Sequence, residues 1–263
     1  MLDSLAENNR VVIAGAGNLA TCLGEALCGV GVVPQAVWSR SEASALRLAT
    51  KLGCPHTTCI KALPDADIVI TAVSDDALPA VTRELAMRYS DALLVHTAGS
   101  VPMNLWVDAS ANRYGVFYPM QTFSKEKSVD FSRLGIFLEA YDEKSLLQLE
   151  CLARRLTPMV YRATSVQRAY LHIAAVFACN FTNAMYRMAA ELLEKERLPF
   201  EVMLPLIDET AAKLHHLSPA EAQTGPAARG DKDILARQSV MLGDVYREVY
   251  NLVSRYISKK TEE

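Results

Sequence analysis

Residues 11–20 read Val-Val-Ile-Ala-Gly-Ala-Gly-Asn-Leu-Ala, and this stretch decides the fold. Its β-branched start predicts a buried strand, and the glycines follow in the pattern G-x-G-x-x-A. Glycine permits a tight turn and lets the backbone approach a diphosphate, whose charge is met by the amides that begin the next helix. We therefore expect a dinucleotide pyrophosphate here, bound by Gly15, Ala16, Gly17, Asn18 and Leu19.

A second strand pattern, residues 36–38, ends in Ser39, Arg40 and Ser41. Folds specific for NAD usually present Asp or Glu about 20 residues after the glycine turn, where it binds the ribose 2′-hydroxyl. Here a guanidinium stands between two hydroxyls, and these groups favour a 2′-phosphate. The three residues therefore predict NADP as the cofactor. Two alternatives stay open: Glu42 keeps NAD in consideration, and Arg40 alone would also suit a solvated surface.

Further apolar stretches continue the alternation of strands and helices. Residues 65–73 predict a buried strand whose carboxyl end faces the cofactor. Residues 92–96 predict another, which ends at His96, a second-ranked catalytic candidate, and opens into small residues that let a nicotinamide ring approach. Strands are also predicted from 114 to the proline at 119 and over 134–139, without an assigned direction. The fold class is therefore α/β, a doubly wound, mostly parallel Rossmann sheet. Four residues on these loops are expected cofactor contacts: Ala72, Val73, Ser74 and Ala98.

Beyond residue 155 the pattern predicts helices and no further strand. We accordingly expect an NADP-binding Rossmann domain over 1–155 and a helical substrate and dimerisation domain over 156–263. A helix over 165–196 is apolar on nearly every side, so its own domain or a second subunit must enclose it, and we expect a homodimer. At 100° per residue His172 and Asn183 fall about 20° apart, with Asn180 on the same side. This polar face indicates either contact with substrate or hydrogen bonds between helices.

The loop over 222–231 combines a hydroxyl, two glycines, a proline and an arginine. Thr224 and Arg229 are candidates to bind an anionic substrate. The alternative is a rigid corner between helices, in which Arg229 pairs with Asp231 or Glu221.

Composition narrows the function classes. The chain has 263 residues, 51% of them hydrophobic, which agrees with an enzyme in two parts. Its net charge of −3 gives no sign of a nucleic-acid partner, and a small-molecule substrate is the expected partner. The first ten residues are polar, and apolar runs end well short of about 18 residues, so we expect a cytoplasmic protein without a signal peptide or membrane span. Six cysteines show no C-x-x-C pair, and His56 between Cys54 and Cys59 has poor spacing for zinc, so we expect neither a metal nor disulfides.

Six segments together resemble bacterial proteins that join a Rossmann domain to a C-terminal domain of unknown function. These proteins are named as NADP oxidoreductases of the type dependent on a deazaflavin coenzyme. The resemblance covers almost the whole chain and implies kinship with pyrroline-5-carboxylate reductase and with 6-phosphogluconate dehydrogenase, whose second domain is also helical. Gln121, in the fourth segment, is an expected substrate contact. The segments are Gly15–Ala20, Ala66–Asp76, His96–Ser100, Tyr118–Phe123, His172–Asn183 and Thr224–Asp231.

Hydroxyacid dehydrogenases of this architecture place a lysine four residues before an asparagine, but Val176 and Cys179 stand there in this chain. His172 is then the candidate proton donor or acceptor, with Asn180 and Asn183 orienting the substrate. The sequence thus predicts an NADP-dependent oxidoreductase that exchanges hydride with a small polar carbonyl or imine, as in pyrroline reduction, or with a deazaflavin as co-substrate. Because the lysine is missing, a non-catalytic NADP sensor or dimeric regulatory protein is the alternative.

Overall fold

The computed structural model describes residues 9–262. Residues 1–8, most of the polar segment behind the localisation prediction, lie outside the described residues. The chain divides into two compact units, which meet in sequence at Ala175 and Val176.

The first unit contains a mostly parallel sheet, so the predicted Rossmann-like fold class is confirmed. In the described chain the strand order is β3-β2-β1-β4-β5-β6-β7-β8. β6 and β7 are antiparallel, and β7 and β8 are parallel. The strands are β1 (Val11–Ala14), β2 (Ala36–Trp38), β3 (His56–Thr57), β4 (Ile68–Thr71), β5 (Leu93–His96), β6 (Tyr114–Pro119), β7 (Ile136–Ala140) and β8 (Val160–Arg162).

Two of these strands were not expected from the sequence. β3 has two residues and β8 has three, which is too short to show the alternation of a half-buried strand. β8 also follows residue 155, so the expectation that no strand lies beyond that point is wrong. It forms because Ile136 to Leu138 offer an open edge that pairs with Val160 to Arg162.

Helices cover both faces of the sheet because successive strand side chains point in opposite directions. Val11 and Ile13 pack into one apolar cluster with α1, α2 and α5, whereas Val12 and Ala14 pack into another with α3 and α4. The carboxyl ends of β1, β2, β4 and β5 are thereby held at one edge. The helices are α1 (Asn18–Gly29), α2 (Glu42–Leu52), α3 (Leu78–Arg88), α4 (Leu105–Asp108), α5 (Glu143–Leu156) and α6 (Ser165–Ala175).

The second unit is helical and has almost no core of its own. Ala227 is the one described residue of this unit that is buried, while Phe177 is 64% exposed and Met241 83% exposed. The sequence left two possibilities for the long apolar helix: enclosure within its own domain or by a second subunit. The exposed side chains show that its own domain does not enclose it. This unit contains a π-helical segment (Val176–Phe181), α7 (Thr182–Lys195), α8 (Leu204–Lys213), α9 (Pro226–Arg229), α10 (Lys232–Val240) and α11 (Asp244–Glu262).

The π-helical segment interrupts what the sequence predicts as one regular helix. Thr182 Oγ1 donates to the carbonyl of Phe177, five residues earlier, at 3.2 Å. A π turn contains more residues than an α turn, so the rotation of 100° per residue does not apply through this segment. The angle of about 20° between His172 and Asn183 therefore does not follow from the observed helix.

Candidate functional site

A cleft of about 440 Å³ lies where the parallel strands of the first unit end. Every predicted cofactor residue except Ser41 lines it, and Ser44, Asp75 and Thr97 join them. The structure thus brings together residues from four separate loops. The lining residues are Gly15, Ala16, Gly17, Asn18, Leu19, Ser39, Arg40, Ser44, Ala72, Val73, Ser74, Asp75, Thr97 and Ala98.

The glycine turn forms the middle of the cleft. Gly15 has φ +137°, and a Cβ there would lie 2.1 Å from the carbonyl oxygen of Ala72. Its amide donates to the carbonyl of Trp38 at 2.7 Å, so the turn is fixed between β2 and β4. Only glycine fits this position without moving the neighbouring backbone.

Gly17 has the opposite surroundings. A Cβ on Gly17 would meet no described atom within 4 Å, which leaves its backbone open to a ligand. Gly17 is also the N-cap of α1, and no side chain in the described chain caps that helix. The amides that begin α1 are therefore directed at the cleft without a competing acceptor, as a bound diphosphate requires.

Arg40 gives one end of the cleft its positive charge. Its side chain is exposed, and no described residue forms an ion pair or hydrogen bond with it. Ser39 and Ser44 lie beside it in the lining, whereas Ser41 Oγ accepts the amide of Ser44 at 3.4 Å and caps α2. An unpaired guanidinium next to hydroxyls suits a 2′-phosphate.

Glu42, the residue that kept NAD in consideration, is occupied elsewhere. Its Oε1 lies 2.8 Å from Nε2 of His56, on β3, and Glu42 does not line the cleft. The end of the cleft beside Arg40 therefore presents a cation and hydroxyls, and Glu42 adds no carboxylate to it.

The loops after β4 and β5 form the other end of the cleft. The amide of Ala72 donates to the carbonyl of Ala14 at 2.8 Å, and that of Thr97 to the carbonyl of Thr71 at 3.2 Å. Ser100 Oγ donates to Asp75 Oδ2 at 2.9 Å and joins the two loops.

His96 lies beneath this end of the cleft and is fully buried. Burial, followed by the positive charge of Arg168, lowers the pKa of His96 to about 3. Its Nδ1 accepts the amide of Ala98 at 3.2 Å, and its ring stacks near Trp106 with centroids 6.4 Å apart. The imidazole is neutral, and its Nδ1 is already bonded to the backbone, as is typical of a structural histidine.

The three catalytic candidates belong to different units. His172 lies on α6 of the first unit and is partly exposed. Asn180 lies in the π-helical segment, Asn183 begins α7, and both are exposed. Their joint action on a substrate stays a prediction, although π-helical turns are frequent at functional sites.

The substrate candidates have other surroundings. Gln121 lines a separate cavity of about 580 Å³ within the loop between β6 and β7, and its Oε1 accepts the amide of Thr122 at 2.8 Å. Thr224 lines a largely apolar groove of the second unit. Arg229 Nε donates to Asp231 Oδ2 at 3.1 Å, as the rigid-corner interpretation expects. Substrate binding by these residues stays a prediction.

Sequence reasoning missed Ser44, Thr97 and the buried Arg168. Ser44 sits in the first turn of α2, where a pattern search limited to the strand end does not look. Arg168 carries no signal at all, because an arginine in a helix normally indicates an exposed position.

Potential metal ligands and cysteines also occur among residues 9–262. No group of three His, Cys, Asp or Glu side chains there could hold a metal ion, and the six cysteines are free thiols. Burial raises the pKa of Cys54 to about 11. Within the same residues, every helix falls short of the length and apolar character that crossing a membrane requires.

Two domain families match the chain, and the second of them spans the boundary between the two units at Ala175 and Val176. Residues 5–111 match a Rossmann-like domain, and residues 134–257 match the domain of unknown function DUF2520. Among curated proteins, none matches the sequence.

Solved structures include a protein of Bacteroides fragilis described as "putative NADP oxidoreductase BF3122". It is 46% identical, with 96% of this chain and 98% of that chain covered and a TM-score of 0.88. A pyrroline-5-carboxylate reductase of Coxiella burnetii is 19% identical, with 97% and 98% covered and a TM-score of 0.62. An imine reductase of Myxococcus stipitatus in complex with NADP+ is 16% identical, with 96% and 93% covered and a TM-score of 0.66. The last two show the shared fold alone.

The identity to the Bacteroides protein extends over nearly the whole of both chains. The chain therefore belongs to the same family, in which a Rossmann-like domain precedes a DUF2520 domain.

Proposed function

We propose that this member of the Rossmann-like and DUF2520 family is an NADP-dependent reductase of small polar carbonyl or imine compounds. The observation that carries the proposal is the cleft, where an unpaired Arg40 and an uncapped glycine turn face the same space. A site with fixed amide donors at its centre and one free cation at its edge matches the charge distribution of NADP.

The residues present fit that cofactor in order along the cleft. The free amides from Ala16 to Leu19 would bind the pyrophosphate beside the Gly15 turn, and Ser39, Arg40 and Ser44 would bind the 2′-phosphate. Ala72 and Ala98 would lie against the nicotinamide half, which supplies a hydride when the cofactor is bound. The small side chains of these two alanines leave room for the planar ring to approach the sheet.

Support for the substrate class comes from two directions. The Coxiella and Myxococcus proteins, which share this fold, are named as reductases of pyrroline-5-carboxylate and of imines. The chain offers His172 as a proton donor or acceptor, and Asn180 and Asn183 as groups that orient a carbonyl or imine. We propose these three as the catalytic residues, with the helical region after residue 155 supplying the substrate side.

We further propose that the protein is a homodimer in which a second copy covers the second unit. With Ala227 as its single buried described residue, this unit needs an apolar partner surface. A second copy supplies the same exposed side chains, among them Phe177, Phe181 and Leu206, in a self-complementary arrangement. Sedimentation equilibrium is expected to give twice the chain mass at micromolar concentration, and a monomer there would contradict this proposal.

The cofactor assignment is tested by calorimetric titration with NADPH and NADH. We expect the wild-type protein to prefer NADPH, and Arg40→Ala to weaken NADPH by about 10- to 150-fold, because a charge-assisted hydrogen bond contributes about 1.5–3 kcal/mol. NADH affinity should not change. The matched control is Arg83→Ala, which removes an exposed arginine of α3. Equal loss of both nucleotides in Arg40→Ala would contradict the 2′-phosphate assignment.

Turnover separates the reductase from the sensor. The NADPH-loaded protein is mixed with panels of small carbonyls, imines and a deazaflavin, and cofactor absorbance is followed. Oxidation of NADPH by a carbonyl or imine, lost in His172→Ala, supports the reductase. Binding of NADPH without oxidation across the panels favours a non-catalytic sensor instead.

A further inference from the structure

Arg168 is an arginine of α6 whose side chain has no exposed surface. A buried guanidinium is unfavourable unless nearly all of its N–H groups are satisfied. The protein retains it in the first unit, close to a loop that lines the cleft, so its partners indicate what it holds in place.

The partners of Arg168 fall into two groups. Nη1 donates to the carbonyls of Ala98 at 3.0 Å, Gly99 at 3.3 Å and Val101 at 3.0 Å. On the other side, Nη2 donates to Glu139 Oε2 at 2.8 Å, and Nε to the same oxygen at 3.3 Å. The guanidinium therefore ties the loop after β5 to a carboxylate on β7.

Glu139 is itself fixed. Its Oε1 accepts the amide of Ser165 at 2.9 Å, and its Oε2 accepts Ser165 Oγ at 2.8 Å. Ser165 Oγ also accepts a hydrogen bond from Arg168 Nη2 at 3.1 Å. Each member of this group thus limits the movement of the other two.

The same loop is held from a second direction by His96, whose Nδ1 accepts the amide of Ala98 at 3.2 Å. Because Nδ1 accepts, the ring proton sits on Nε2 and the imidazole is neutral. Gly99 closes the turn, since a Cβ there would lie 2.6 Å from the ring of Tyr118. The amide of Ala98 and the carbonyls of Ala98, Gly99 and Val101 therefore point to buried partners.

The position of this loop identifies the part of the ligand it would meet. In the sheet, β2 lies on one side of β1, and β4 and β5 lie on the other. A dinucleotide binds across the carboxyl ends of the strands at this reversal, so an adenosine end beside Arg40, after β2, places the nicotinamide end beside Ala98, after β5.

We infer that Arg168, Glu139 and His96 are positioning residues that hold Thr97 and Ala98 as a preformed wall for the nicotinamide ring. This inference rests on the proposed function and goes beyond it, because none of the three touches the cleft. Their effect should be confined to the nicotinamide half of the cofactor.

The test compares NADPH with 2′-phospho-ADP-ribose, which has the same adenosine, phosphates and ribose but lacks nicotinamide. Both are titrated by calorimetry into wild type, Arg168→Lys and Glu139→Gln. Matched controls are Arg162→Lys and Glu143→Gln, which alter an exposed pair at 2.8 Å elsewhere in the same unit. Thermal melting verifies that each variant folds.

We expect both wall variants to weaken NADPH by about 10- to 100-fold, because small misplacements of a binding surface act on this scale. The affinity for 2′-phospho-ADP-ribose should change by less than about threefold, and the control variants should leave both affinities in place. Parallel loss of both ligands, or no loss of either, overturns the inference while leaving the proposed function intact. A wild-type protein that binds neither ligand overturns the proposed function and this inference with it.

A second measurement needs no variant. In the wild-type protein the amides of Thr97 and Ala98, followed by NMR, should exchange slowly with deuterated water before NADPH is added. Free exchange of these amides in the absence of cofactor would show that the wall is not preformed and would overturn the inference.

Discussion

Replacing Gly15 by alanine tests whether the shape of the turn requires glycine at this position. The added Cβ would lie 2.1 Å from the carbonyl oxygen of Ala72, and a φ of +137° is one that alanine rarely adopts. Backbone strain of this kind costs about 1–3 kcal/mol. Displacing a packed neighbour costs about another 1–3 kcal/mol. We therefore expect Gly15→Ala to lower the free energy of unfolding by about 2–6 kcal/mol.

Calorimetric melting and NADPH titration measure the two consequences. For a domain of this size each kcal/mol shifts Tm by about 2–4 °C, so Tm should fall by about 4–24 °C. NADPH affinity should fall as well, because the turn can accept the methyl group only by moving away from β4.

Gly17→Ala is the matched control, since its Cβ meets no described atom within 4 Å and its φ of −80° suits alanine. Its stability should remain within about 1 kcal/mol of wild type while NADPH affinity falls, because the methyl group occupies the approach to the backbone. A Gly15→Ala protein as stable as wild type would refute the reasoning.

Three further predictions concern the first unit, two at buried side chains and one at an ion pair near the surface. Trp106→Phe should lower the free energy of unfolding by about 1–3 kcal/mol in urea titration, because Nε1 of this buried ring donates to the carbonyl of Gly115 at 3.0 Å; a change below about 0.5 kcal/mol would contradict this. The pKa of His96 is lowered to about 3, so the stability that neutral His96 contributes should be complete above pH about 6.5. Between pH 6.5 and pH 3 the free energy of unfolding should decline by at most about 1.4 kcal/mol per pH unit. His96→Asn should flatten this part of the pH profile, and an unchanged slope would contradict the prediction. The hydrogen bond from Arg10 lowers the pKa of Asp67, so Asp67→Asn should reduce Tm at pH 7. Below pH about 4 the Tm of this variant should fall less than the Tm of wild type. The control Asp108→Asn should show neither effect, and equal curves for the two variants would exclude the pairing.

The sequence predicted the structure best at positions that only one residue type can occupy. The buried β-branched run from Val11 to Ala14 and the glycine that follows predicted the strand and the turn, because nothing larger than glycine fits against Ala72. The register of Arg40 after β2 agrees with its place in the cleft lining, and its contact with the ribose stays a prediction. That Glu42 turns toward His56 could not be foreseen, since β3 is two residues long and leaves no pattern.

Long-range pairing accounts for most of what was missed. Arg168 is buried because Glu139 and three carbonyls converge on it from segments about 30 to 70 residues away, and no local spacing records such a meeting. The π-helical turns at Val176–Phe181 could not be predicted either, because apolar residues on every side of a helix are compatible with any helical period.

The scarcity of buried residues after Val176 bears on how the protein behaves when diluted. Chain segments that gain their apolar contacts from another molecule obey mass action, so their thermal transition moves with the amount of protein present. Under the proposed homodimer, melting curves recorded across a hundredfold range of concentration should shift for the helical part, while the sheet, which carries its own interior, should melt at one temperature throughout.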